Sequence, residues 1–155
     1  MRLKDSLSNE PVSRLALRDP VLCLPDEAIS EAVSRMRDRK LGCVIVVDDE
    51  RRPVGLFTEN MLSRLVASDP SGLRDKLRAR MAEQCHCVRP TDPVARVLEA
   101  MQRSNTRFVC VVDDDGKVVG LTGQKGLMEF IADHFPQQVM VQRVGSPPPS
   151  QREGA

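Results

Sequence analysis

The stretch LGCVIVVDDERRPVGLFTENML, residues 41–62, decides the architecture, because its pattern returns 65 residues later with nine of the 22 residues identical. Its counterpart is TRFVCVVDDDGKVVGLTGQKGL, residues 106–127, and the two align without a gap. Val44, Val46, Val47, Asp48 and Asp49 meet Val109, Val111, Val112, Asp113 and Asp114, and Val54-Gly55-Leu56 meets Val119-Gly120-Leu121. Extended from Pro25 and Pro90 to Ala67 and Ala132, the alignment holds 12 identities over 43 positions, so the chain carries two copies of one supersecondary unit. Two copies are too few for a solenoid. They are expected to pack on each other as pseudo-symmetric halves.

Outward from that stretch, each copy reads in the same order. Cys43–Val47 and Phe108–Val112 are continuous apolar runs of strand length. An acidic turn follows each, 48–52 or 113–117, and leads into a second strand at 53–57 or 118–122, which makes a hairpin. Before the hairpin, Ile29, Ala32, Val33 and Met36, or Val94, Val97, Leu98 and Met101, recur at i, i+3, i+4, i+7, one face of a helix. Asp26 or Thr91 stands where such a helix can be capped. Short extended segments at 21–24 and 85–88 precede these helices, and second helices over 59–67 and 124–134 close the copies. The fold class is therefore α/β (α+β), two β-α-β-β-α repeats related by a pseudo-two-fold axis. The expected organisation is an N-terminal arm (1–11), repeat 1 (12–68), a connector (69–80), repeat 2 (81–135) and a proline-rich, disordered tail (136–155).

Composition limits what these halves can do. The chain has 155 residues with 23 Lys+Arg against 22 Asp+Glu, a balance without the basic excess of a nucleic-acid-binding surface. No apolar run approaches the ~18 residues that span a bilayer, so no membrane partner is expected. Residues 1–14 lack the apolar core of a secretory signal, and the five scattered cysteines suit a reducing, cytoplasmic setting. There is no G-x-S-x-G or H-E-x-x-H, and His134 has no evident nucleophile beside it, so the chain reads as no enzyme, with no catalytic residues. Cys85-His86-Cys87 is the sole local run of soft ligands. In an extended segment the two thiols face one way and the imidazole the other, and no second pair stands at zinc spacing, so no metal site is expected.

The duplicated unit, with VVDD-x-x-x-x-VG-L after a Met-ended helix, resembles the tandem CBS domain pair (Bateman module) of the stand-alone bacterial type. The resemblance covers about residues 12–135. It implies regulation, homodimerisation through the CBS helices, and adenosyl ligands (AMP, ADP, ATP or S-adenosylmethionine) bound between the repeats through a G-h-x-[ST]-x-x-D motif. Repeat 1 reads Gly55-Leu56-Phe57-Thr58-Glu59-Asn60-Met61: Thr58 keeps the hydroxyl, and Met61 replaces the ribose-binding Asp. Repeat 2 reads Gly120-Leu121-Thr122-Gly123-Gln124-Lys125-Gly126 and has lost both. Losing a charge-assisted pair removes a few kcal/mol of affinity.

Two readings follow. In one, the chain is a non-catalytic regulatory and dimerisation module acting in trans on an unknown protein partner, with degenerate clefts and no certain cofactor. In the other it senses an adenine nucleotide or S-adenosylmethionine at the repeat 1 cleft. That cleft is expected to centre on Thr58, opening through Gly42 and Cys43, with Arg39 and Lys40 for phosphate and Asn60 as a weak stand-in for the missing carboxylate. Thr58 also suits the N-cap of the second helix, and Phe108, matching Cys43, adds bulk to the other cleft.

Overall fold

A computed structural model describes residues 2–134. In chain order the elements are α1 (Leu3–Asn9), β1 (Leu22–Cys23), α2 (Ile29–Arg39), β2 (Cys43–Val47), β3 (Pro53–Thr58), α3 (Glu59–Ser68), α4 (Leu77–Arg80), β4 (Cys87–Val88), α5 (Ala95–Ser104), β5 (Phe108–Val112), β6 (Val118–Gly123) and α6 (Gln124–His134). The expected tail lies outside the described residues.

Each repeat folds as a three-stranded sheet, β1-β2-β3 or β4-β5-β6, with the first pair parallel and the hairpin antiparallel. The 65-residue offset survives in the register. Leu22 pairs with Ile45 as Cys87 pairs with Cys110, and both hairpins slip by one residue after the same valine, Val46 or Val111. β2 is buried along its whole length, which accounts for its unbroken apolar run. The acidic turns are built by their first aspartate: one carboxylate oxygen of Asp48 accepts from the N–H groups of Glu50 and Arg52, and that of Asp113 from Asp115 and Lys117, all at 2.9 Å. Both first helices end on a left-handed residue, Lys40 (φ 51°) or Asn105 (φ 50°).

The halves are completed crosswise. Val12 and Leu15, within the stretch expected to open repeat 1, sit in the core of repeat 2 beside Val88, Val94 and Val97. Leu77, 65 residues after Val12, sits in the core around repeat 1, and Val12 and Leu77 are both fully buried. The capping expectation is corrected for the same reason. α2 and α5 begin after Ala28 and Val94 with no side-chain cap. Instead the Ile29 N–H donates to the Asp75 carbonyl and the Val94 N–H to the Glu10 carbonyl, both at 2.9 Å, so the crossing segments satisfy these amides. Asp26 pairs with Arg78 (2.6 Å) and Lys76 (3.6 Å) on the connector.

Candidate functional site

Crosswise completion sets the exit of each hairpin against the other repeat. Thr58 ends β3 in extended backbone and caps α3, its hydroxyl oxygen accepting the Met61 N–H at 3.3 Å. The Glu59 N–H donates to the Gly42 carbonyl at 3.0 Å, tying the start of α3 to the start of β2. Opposite stand the end of α5 and the start of β5, residues 104–108. Between them lies a cleft of about 520 Å³, lined on one side by Thr58, Glu59, Asn60, Met61 and Arg64 and on the other by Ser104, Asn105, Thr106, Arg107 and Phe108. Two guanidinium groups, one carboxylate and several hydroxyl and amide groups therefore border one cleft. Arg107 lies 5.8 Å over the Phe108 ring and 3.9 Å from the Glu59 carboxylate, an ion pair between repeats loose enough to open.

The residues singled out from sequence separate in space. Thr58 and Asn60 line the cleft. Gly42 borders an adjoining cavity of about 560 Å³ with Glu59, Arg107 and Phe108. Its hydrogen faces the ring: a Cβ there would lie 2.7 Å from Phe108 Cζ. Cys43 is directly paired with Thr58 but only 1% exposed, and burial pushes its thiol up to about 12, so it is core. Lys40 borders a separate groove between α2 and α3, and Arg39 is exposed and borders none of these cavities. The end of α5 stands beside the exit of the repeat 1 hairpin. Adding 65 to Arg39, Lys40 and Gly42 gives Ser104, Asn105 and Arg107, so the offset held the signal for the facing wall.

The corresponding cleft at Gly123 is smaller, about 190 Å³, and Phe108 and Arg107 border it too. Gly123 (φ 153°) runs so close to the Arg107 carbonyl that a Cβ would overlap it, which leaves no room for a side chain such as threonine. His134, read from sequence as lacking a nucleophile, stacks on Phe130 (4.0 Å between centroids), and its Nδ1 lies 3.0 Å from the Phe130 carbonyl oxygen.

The structure adds a third thiol to the Cys-His-Cys run. Cys87 pairs in register with Cys110 on β5, and the sulfurs of Cys85, Cys87 and Cys110 all lie within 4.8 Å of one another. The third thiol comes from a neighbouring strand, where no sequence spacing announces it. Hydrogen bonds with Cys110 and then Cys85 pull Cys87 down to about 4. Cys110 is raised by its bonds to Cys85 and Cys87 and by burial.

This architecture defines a class: tandem β-α-β-β-α repeats, crosswise completed, with paired clefts between them. The CBS domain family model matches residues 12–68 and 76–133, and the chain belongs to that family. The CBS domain pair of protein MJ0100, in complex with 5'-methylthioadenosine and S-adenosyl-L-methionine, superimposes with a TM-score of 0.71 at 20% identity, over 80% of this chain and 97% of that one. A CBS-domain protein of Agrobacterium tumefaciens gives 0.65 at 26% identity, over 72% and 84%. In sequence, an uncharacterized protein of Methanopyrus kandleri is 28% identical over 120 residues, 76% of this chain, which spans 61% of that relative's length.

Proposed function

We propose that this CBS domain pair is a non-catalytic regulatory module that binds one anionic adenosyl ligand per chain in the Thr58 cleft and acts in trans as a homodimer. The single observation that carries the ligand reading is the make-up of that cleft, with Arg64 from one repeat and Arg107 from the other against the one carboxylate of Glu59. A phosphate there would compete with Glu59 for Arg107, so occupancy changes a contact between the repeats. The adenosyl ligands of the MJ0100 pair support the ligand class. Phosphorylated members are favoured here, since Arg64 and Arg107 against Glu59 leave the cleft with a net positive charge that disfavours the cationic sulfonium. Without a carboxylate at Met61 or Gly126 the ribose is held less firmly, and affinity is expected to be no better than micromolar. Dimerisation is supported by apolar side chains exposed on α3 and α6, Val66 (45%) and Met128 (62%).

Titration calorimetry of the full chain with ATP, ADP, AMP and S-adenosylmethionine tests the assignment. One site per chain is expected, with the phosphorylated ligands ahead of S-adenosylmethionine. Arg107→Ala should weaken nucleotide binding about 10- to 100-fold, the worth of a charge-assisted hydrogen bond, while Arg39→Ala leaves it unchanged. Thr58→Ala is less decisive, because it also removes a helix cap worth ~1 kcal/mol. Two equivalent sites per chain, or binding indifferent to Arg107, would sink the proposal.

A further inference from the structure

Outside the cleft, the side chains best placed for chemistry are the three thiols of repeat 2. Their arrangement is fixed by backbone. The parallel register sets Cys87 beside Cys110, two residues of extended chain return Cys85 to the same side, and the Cys87 thiol lies 3.2 Å from the Cys85 carbonyl oxygen. A tetrahedral ion with Zn–S bonds of about 2.3 Å needs sulfurs roughly 3.8 Å apart. All three pairs here lie within 4.8 Å, a difference that side-chain rotation can close without moving a strand.

We propose that Cys85, Cys87 and Cys110 form a binding site for one Zn²⁺ ion, held by three thiolates with a solvent-derived fourth ligand. Burial supports the three-plus-one arrangement. Cys110 is buried and Cys85 half-buried, so the core side is closed, while Cys87 is exposed and leaves a face open to water. The donor set selects the ion. Thiolates discriminate against Mg²⁺ and Ca²⁺, and a divalent ion leaves the partly buried site with net charge −1, where a monovalent soft ion would leave −2. Binding displaces the remaining thiol protons to solvent. Cys85 and Cys110 both pack with the core centred on repeat 1, and Ala82, three residues before Cys85, pairs with Leu56 of β3. An ion here would pin the segment leading into β4 to β5 and stiffen the junction between the repeats.

The test uses the full chain, reduced and stripped of metal with a chelator, and titrated with Co²⁺ as a spectroscopic probe. One equivalent should give a thiolate-to-cobalt charge-transfer band, Zn²⁺ should displace it one for one, and Zn²⁺ should raise the thermal midpoint. Cys87→Ser, at an exposed position, should leave the metal-free fold intact by circular dichroism and weaken Co²⁺ binding on the order of 100-fold. Cys110→Ala should abolish the band, with the same fold check, and His86→Ala should leave it unchanged. A missing charge-transfer band, an affinity unaffected by Cys87→Ser, or loss of binding in His86→Ala overturns the site.

Discussion

At the residue scale, duplicated positions have taken on different duties. Cys43 and Phe108 are equivalent in sequence, yet Cys43 is sealed in the core while Phe108 lies across Gly42 and borders both clefts. Thr58 and Gly123 are equivalent too: one offers a hydroxyl, and the other has surrendered its side chain to the close approach of Arg107. Gly123→Ala therefore makes a poor neutral control. Left-handed backbone and overlap with a carbonyl should cost ~2–3 kcal/mol, lowering the thermal midpoint by roughly 5–10 °C in differential scanning calorimetry. An unchanged midpoint would mean that β6 and the Arg107 backbone can part without penalty. Asp48 and Asp113, identical in the two halves, each spend one carboxylate oxygen on turn amides, as their place in an acidic turn implies.

At the element scale, the crossing segments make each repeat depend on chain that belongs, by sequence, to the other. Leu77 is fully buried in the repeat 1 core, and its neighbours Ala28 and Lys76 bridge connector and repeat. Leu77→Ala should destabilise by about 2–5 kcal/mol, and Val12→Ala by a smaller amount in keeping with its size. The sharper expectation is where the loss appears. Hydrogen exchange should rise first in α2 for Leu77→Ala and in α5 for Val12→Ala, because the freed backbone carbonyls of residues 75 and 10 cap those helices. Exchange rising instead in the repeat that contains the mutated residue would contradict the crosswise arrangement. The helix faces and hairpins were legible from periodicity alone, since Ile29, Ala32 and Met36 are the buried positions of α2. The caps were not, because their acceptors lie 46 or more residues away in sequence.

At the scale of the whole molecule, the apolar side chains exposed on α3 and α6 argue for a second copy of the chain against them. The solution mass by light scattering should be about twice 17.2 kDa at tens of micromolar, and Met128→Asp should shift it toward the monomer. A monomer at that concentration would remove dimerisation from the proposed function. Among the described residues no helix is long and apolar enough to cross a membrane.

The sequence by itself determined the duplicated unit, its strands, turns and helix faces, and the loss of the ribose-binding carboxylate from both copies. These follow from local periodicity, turn chemistry and a fixed offset, all written within short windows of chain. Only the tertiary structure decided which groups meet. It set Arg107 across from Thr58 and Arg64 in place of Arg39 and Lys40, carried Val12 into repeat 2, and brought Cys110 beside Cys85 and Cys87. Each of these depends on a relation between elements far apart in the chain, the pseudo-two-fold axis or a strand register. Such relations are fixed when two amphipathic halves bury their apolar faces against each other, and no single window of sequence encodes them.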